Sequence, residues 1–350
     1  MAATTRSFAG RLLRWFDTNR RDLPWRRTRD PWSIWVSEVM LQQTRVEAVR
    51  AAYERFVQRF PTPASFAAAS DDELFAAWHG LGYYRRARLL REGARTIVAR
   101  HGGRVPECIE ELAELPGIGA YTSGAVASIA FGIPAIAVDG NVERVIARHT
   151  GIRDDIATAA AKRRIVAFVG EAMDRDRAGD FNQALMELGA LVCTPSSPRC
   201  GACPLAADCV ALRSALVETL PVRKKPRAAV EVTARVVFAV RGDRALGTRI
   251  PADRPNAGQI ELPGPGILTT VAAEDLARSL RERFAARCEV GALIATVRHA
   301  ITHHRIVVHA HATTVRAPGR LQWFGLGQDT PWTTPSRKVF ARVLGTGDEA

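Results

Sequence analysis

Hydrophobic and polar positions follow two rhythms along this chain, and the change falls near residue 217. Before it, apolar residues recur at the three-and-four spacing of helices. From Trp32 to Arg50, the residues Trp32, Trp35, Val39, Val46 and Val49 keep that spacing. They follow Asp30-Pro31, a capping carboxylate with proline at the first helical position. Asp71 opens another helix, which runs to Trp78, and residues 85–100 form a basic amphipathic one. Glu107 to Phe131 reads as helix, tight turn, helix, and Asn141–His149 and Asp180–Val192 as two more. Beyond the change the period shortens to two: Val230, Val232, Ala234 and Val236 alternate with their neighbours. Arg305 to Val315 is rich in β-branched residues, and Ala272 to Ala286 reads as a helix between strands. Between the two textures lies Leu220-Pro-Val-Arg-Lys-Lys-Pro-Arg227, a proline-flanked basic connector. The pattern therefore predicts a multidomain α plus α/β chain. Residues 1–216 form an all-α domain, 217–229 a basic linker and 230–345 an α/β domain.

Length agrees, because 350 residues exceed one ordinary domain and suit two. No apolar run reaches the roughly 18 residues of a membrane span, and Met1 to Arg14 lacks the apolar stretch of a secretory signal. The chain reads as cytoplasmic, nucleoid-associated if bacterial, without a membrane partner. A net charge of +13 points to a polyanionic partner, although arginine-rich composition alone also produces it. Cys108 and Cys288 stand alone and suit buried free thiols.

The other four cysteines carry chemistry. Cys193, Cys200, Cys203 and Cys209 lie within seventeen residues, separated by six, two and five others. Four thiolates on one loop satisfy either a tetrahedral zinc or a cubane cluster, and the spacing does not decide between them. In Leu115-Pro-Gly-Ile-Gly119, Gly117 and Gly119 mark a turn between two apolar helices. The backbone N–H groups of such a turn can face phosphate. Taken alone it is an ordinary helix–helix turn. Asp139, in Val138-Asp-Gly-Asn-Val142, taken alone caps the following helix. Glu38, in Ser37-Glu-Val-Met-Leu-Gln-Gln-Thr44, taken alone is a surface residue of an apolar helix.

Together these motifs resemble the MutY-type adenine DNA glycosylases of the endonuclease III, helix–hairpin–helix superfamily. The match is strong over residues 8–210 and loose thereafter. The resemblance implies a helix–hairpin–helix glycosylase domain whose four cysteines hold a [4Fe-4S] cluster, followed by a Nudix-like α/β domain. It implies hydrolysis of the adenine N-glycosidic bond opposite 8-oxoguanine, or in A:G pairs, by a monomer on double-stranded DNA. Glu38 would be the catalytic acid and Asp139 the counter-charge of the sugar cation, with Gly117 and Gly119 on the DNA backbone. Tyr121 occupies the slot where endonuclease III places its lysine nucleophile, so the resemblance implies monofunctional chemistry. Trp25, Arg26 and Gln183 would line the adenine pocket. Leu41 and Gln43 would fill the hole left by the flipped base, with Tyr83, in Leu81-Gly-Tyr-Tyr-Arg85, wedged beside the lesion.

In the second domain, Gly258 to Gly264 resembles a Nudix strand–turn. Residues 272–286 offer only Glu274 and Glu282 where an active Nudix helix needs closely spaced glutamates, so no pyrophosphatase activity is expected. The loop Arg298–His304 aligns with the lesion-sensing loop, whose usual core is Phe-Ser-His. Here it reads Ile301-Thr302-His303, which keeps hydroxyl and imidazole but loses the aromatic. A second departure is Glu143, where many relatives carry a basic residue. The main alternative is a bifunctional pyrimidine-damage glycosylase/lyase of endonuclease III type, which the tyrosine at 121 and the second domain oppose. A non-catalytic DNA-binding scaffold is opposed by having both Glu38 and Asp139 in place.

Overall fold

The computed structural model describes residues 2–223, 228–251, 253–254, 256–327 and 330–345. Residues 224–227 of the expected linker lie outside the described residues. The chain divides into two compact units, one of residues 1–69 and 86–225, the other of 70–85 and 226–350. The segment 70–85 thus leaves the continuous first domain that the hydrophobic pattern implies.

The first unit is helical. Its elements are α1 (Ala2–Asn19), α2 (Pro31–Leu41), α3 (Val46–Arg59) and α4 (Pro63–Ala67). After α5 (Asp71–Ala77), which belongs to the second unit, come α6 (Arg85–Arg100), α7 (Ile109–Glu114) and α8 (Ala120–Phe131). The last are α9 (Gly140–Thr150), α10 (Ala159–Ala172), α11 (Ala178–Leu191) and α12 (Val210–Arg213). The single helical stretch expected from Trp32 to Arg50 is broken. The apolar spacing continues through the break, but Gln42 leaves the helical region and Gln43 takes φ +58° before α3 restarts.

Phe8, Leu12 and Phe16 on α1 pack with Val145 and Ile146 on α9, Ile165 and Val169 on α10, and Phe181, Leu185 and Leu188 on α11. Trp32 is edge-on to Trp35 at 5.7 Å, and its indole N–H donates to the Phe60 carbonyl at 2.9 Å. Bulky residues fill most of this interior, but two glycines set distances. Gly117 (φ +82°) turns α7 into α8 in a conformation that favours glycine, with the Leu89 side chain 2.8 Å from where a Cβ would sit. Gly189 lets α11 approach the start of α9, since a Cβ there would lie 2.6 Å from the Asn141 Cβ.

The second unit is α/β. Strand β1 (Val230–Phe238) runs parallel to β6 (His304–Ala317), which pairs antiparallel with β5 (Arg287–Ile301). A second sheet has β3 (Arg244–Arg249) between β2 (Val240–Arg241) and β4 (Ile260–Glu261), with β7 (Gln322–Gly325) also on β3. The period-two pattern explains the layers. Val232, Ala234 and Val236 enter one core with Val339 and Phe340 of helix α14 (Thr334–Leu344). Val237 and Ala239 enter another with Leu276, Leu280 and Phe284 of helix α13 (Leu276–Phe284). The all-α then α/β class is as expected. A further expectation fails: Cys108 is exposed rather than buried, with its thiol against Glu110 at 2.7 Å, and Cys288 is only partly covered.

Adding one methyl at Gly189 forces α11 away from α9. Gly189→Ala is expected to destabilise the protein by about 1–3 kcal/mol, the usual cost of overpacking. A thermal melt unchanged from the parent would contradict that close approach.

Candidate active site and cluster loop

Helix α2 is apolar all round, and Glu38 is among its buried residues, only 6% exposed. Burial pushes the Glu38 carboxyl up to about 7. The hydrogen bond from the Tyr121 hydroxyl, 2.5 Å from Oε2, and the Arg26 charge oppose that rise, while Asp139 adds to it. The same hydroxyl lies 3.6 Å from the Met186 Sδ. Burial, then the Glu38 and Asp139 charges, raise the Tyr121 phenol well above its ordinary range, so it remains a donor. At neutral pH this pair presents a carboxyl poised between its two states, next to a hydroxyl with one proton to give.

Asp139 is the N-cap of α9. Its Oδ1 accepts from the Asn141 and Val142 backbone N–H groups at 2.9 and 2.8 Å, and its Oδ2 from the Asn141 Nδ2 at 2.7 Å. Capping and electrostatic contact with Glu38 coexist, because α8 and α11 hold the preceding loop. Buried Asn182 accepts from Ala137 N and donates to the Ala135 carbonyl at 2.8 Å.

Arg26 pairs with buried Glu187, at 2.8 Å from Nη1 to Oε1. Glu187 also receives Arg21. Burial alone would push the Glu187 carboxyl up, but hydrogen bonds from Arg21 and Arg26 bring it down to about 2. Trp25 is buried edge-on to Tyr53 at 5.5 Å, and Gln183 is half-buried on α11. Leu41 ends α2 half-buried, while Gln43 is exposed. Arg86 caps this end of α2, with Nη1 on the Val39 and Met40 carbonyls at 2.8 and 3.1 Å and also on that of Gln42. Its Nη2 donates to Thr44 Oγ1 at 3.0 Å. At the hairpin, Gly119 is the N-cap of α8 without a side-chain cap, and a Cβ there would meet nothing within 4 Å.

Three expected residues lie in the second unit. Tyr83 is 56% exposed with φ +46°. The loop expected at Arg298–His304 is shorter than that: Arg298 to Ile301 belong to β5, and Ile301 pairs with His304. Thr302 and His303 alone form the tip, with Thr302 at φ +52°.

The sequence pattern did not single out Glu187, Asn141, Asn182, Met186 or Arg86. A glutamate in the apolar run of α11 was the only visible signal among them. An arginine that caps another helix leaves none.

The four thiols line one cavity of about 430 Å³, counting the part open to solvent, together with Arg148, His149, Leu188 and Leu205. Among the described residues, no three His, Cys, Asp or Glu side chains converge as a single-ion site. One zinc needs every sulfur about 2.3 Å from a single point. Thiols spread around a cavity fit a larger group such as an iron–sulfur cluster. Basic residues of α9 hold this loop: Arg144 donates from Nε to the Cys193 carbonyl at 2.7 Å. Arg148 donates to the Thr194 carbonyl at 2.7 Å and stands 3.5 Å from the Cys193 sulfur.

Comparison with known proteins agrees with this geometry. The model of the HhH-GPD superfamily of base excision DNA repair proteins matches residues 36–169. That of the iron–sulfur binding domain of endonuclease III matches residues 193–209. The chain is 46% identical over 216 residues to the adenine DNA glycosylase of Homo sapiens, covering 59% of this chain and 40% of that one. It is 46% identical over 195 residues to that of Mycobacterium tuberculosis, covering 55% and 64%. The chain thus spans about two-fifths of the human relative's length. A thermostable thymine-DNA glycosylase structure superposes with a TM-score of 0.56 at 30% identity, covering 61% of this chain and all of that one. A trapped endonuclease III–DNA covalent intermediate does so at 0.53 and 26%, covering 62% and 99%. Cys193, Cys200, Cys203 and Cys209 are an iron–sulfur site.

Protein purified without oxygen is expected to be brown, with about four irons per chain for a four-cysteine cubane. Cys203→Ser should lower that content. A colourless protein carrying one zinc would contradict the assignment.

Proposed function

The chain belongs to the helix–hairpin–helix superfamily of base excision DNA repair proteins, and from that premise we propose that it is a monofunctional adenine DNA glycosylase acting where adenine faces 8-oxoguanine or guanine. The observation that carries this reading is Glu38, a carboxyl with its pKa at about 7, buried within electrostatic reach of Asp139. N-glycosidic hydrolysis needs one carboxyl that holds a proton and a second that stays charged.

Adenine must first leave the duplex. Glu38 then protonates the base at N7, and the N9–C1′ bond breaks with its electron pair moving to the departing adenine. Asp139, its carboxylate held by three donors, faces the positive charge that develops on the deoxyribose. Water adds at C1′, and the Glu38 carboxylate takes up its proton, which restores the starting state. Tyr121 orients the acid through its hydrogen bond. Trp25, Arg26 and Gln183 shape the adenine pocket, and Leu41 and Gln43 fill the vacated stack. Gly117 and Gly119 offer backbone N–H groups to phosphate. Tyr83 meets the guanine side, and the second unit, read as Nudix-like, presents Thr302 and His303 to the lesion. When bound, the cluster would fix the loop 193–209, whose Arg199 and backbone N–H groups can then face phosphate.

The acid mechanism sets the pH response. Glu38 acts while protonated, so single-turnover adenine release should fall as pH rises through about 7. Glu38→Gln keeps the shape without a transferable proton. It should bind the A:8-oxoguanine duplex and lose about 10²–10⁴-fold in rate, the usual worth of general acid catalysis. A flat pH profile with a near-normal Glu38→Gln rate would refute the mechanism. Cleavage at equal rates opposite 8-oxoguanine, guanine and thymine would refute the substrate.

Monofunctional chemistry has its own test. Lys162, the only lysine before the 224–225 pair, is exposed on α10, and the Tyr121 phenol forms no Schiff base. Borohydride should therefore trap little covalent protein–DNA adduct, and strand breaks should need alkali. Efficient trapping would place the chain with the lyases.

A further inference from the structure

One buried polar side chain of the helical unit has no part in the acid mechanism. His149, on α9, is 8% exposed, and its Nδ1 is buried without a hydrogen-bond partner. Its ring stands edge-on to Phe8 at 4.9 Å and tilted against Phe168 at 5.6 Å. Those contacts account for a flat ring, and a phenylalanine would make them equally well. They do not account for the nitrogens, because a polar atom out of water ordinarily has a partner.

The cavity that the four thiols line offers one. His149 lines the same cavity beside Arg148. Apart from the thiols, these two are the side chains with hydrogen-bond donors among the described residues lining it. Every guanidinium nitrogen of Arg148 is already bonded to a backbone carbonyl. Nε donates to Leu220 at 2.8 Å, Nη1 to Thr194 at 2.7 Å and Nη2 to Pro195 at 3.1 Å. The peptide that joins Arg148 to His149 also borders the thiols, with the Arg148 carbonyl oxygen 3.6 Å from the Cys209 Sγ. His149 therefore brings to this wall a ring whose buried nitrogen no protein group satisfies.

An imidazole carries at least one N–H in either charge state. The sulfurs of an iron–sulfur cluster accept hydrogen bonds, and those bonds help to set its reduction potential. The reduced cluster carries one more negative charge than the oxidised one. A donor favours the reduced form and moves the potential upward.

We propose that His149 donates a ring N–H to sulfur of the iron–sulfur group held by Cys193, Cys200, Cys203 and Cys209, and so raises its reduction potential. His149 itself gains and loses neither proton nor electron.

The test uses the full-length protein, purified without oxygen and loaded with iron. Its readout is the one-electron midpoint potential. His149→Phe keeps a ring between Phe8 and Phe168 and removes the donor. Its potential should fall by about 59 mV, a tenfold loss in the one-electron equilibrium. One hydrogen bond to a charged group can supply a change of that size. His149→Gln, which retains an N–H, should lie nearer the parent. Iron content and melting temperature report loading and folding independently. With ¹⁵N-labelled histidine, pulsed electron paramagnetic resonance of the paramagnetic cluster state should show a nitrogen coupling that His149→Phe lacks. An unchanged potential in iron-loaded His149→Phe would overturn the proposal. Parent protein without the nitrogen coupling would overturn it too, even if His149→Phe failed to hold iron. One zinc per chain would overturn the cluster itself and this bond with it.

Discussion

A carboxyl group taken out of water has to be neutralised, paired or hydrogen-bonded, because an uncompensated buried charge costs several kcal/mol. The helical unit buries two such groups near each other and resolves them in opposite ways. Glu187 receives two arginines and is held ionised near 2. Glu38 receives one neutral hydroxyl, faces Asp139, and is pushed up to about 7. The difference lies in the partners, since both side chains are under a tenth exposed. That contrast turns one carboxyl into a structural anchor for Arg26 and leaves the other with a proton to transfer. It also fits the apolar character of α2, whose residues Trp32 to Met40 are buried except Ser33, so that Glu38 lies out of water.

Helix α9 ties the two chemical regions of this unit to one rigid element. Its N-terminus carries Asp139, fixed by its own first turn. Further along the helix, Arg144 and Arg148 reach the backbone of the cysteine loop. Arg144 also donates to Asn141 Oδ1 at 2.9 Å and to the Gly189 carbonyl at 2.8 Å, so α9, α11 and the loop share one polar seam. Gly189 is what lets the helices come close enough for that seam to form. Arginine side chains are ordinarily solvent-exposed. Here they are buried, because the carbonyls they satisfy belong to a loop distant in sequence.

What the sequence made legible follows from which interactions are local. Caps, helical periodicity and the hairpin glycines are written within a few residues of where they act, so α6, α8 and α9 appear close to their expected bounds. The long stretch from Trp32 fails because apolar spacing continues through a break that only backbone geometry at Gln43 reveals. The 70–85 segment fails for a related reason: its helical pattern is ordinary, and which unit it joins depends on distant contacts. Glu38 and Asp139 show the limit from the other side. Periodicity placed one on the surface and made the other only a cap. Resemblance to a family supplied what spacing lacks, namely burial and mutual proximity.

Strain marks the remaining division of labour. Gln43, Tyr83 and Thr302 all have positive φ, though none is glycine. Each sits at a connection where the neighbouring helix or strand would have continued with ordinary backbone. The surroundings sustain the cost at Gln43 and Thr302 by specific hydrogen bonds: Arg86 gathers the carbonyls around Gln43, and the β5–β6 pairing closes directly behind Thr302. Backbone strain of this kind, about 1–3 kcal/mol per residue, persists where it is over-determined by its setting. It gives side chains directions that a relaxed turn would not. The apolar surroundings of Glu38 thus set its proton affinity, and the positive φ values at Gln43, Tyr83 and Thr302 set the directions in which those side chains leave the backbone.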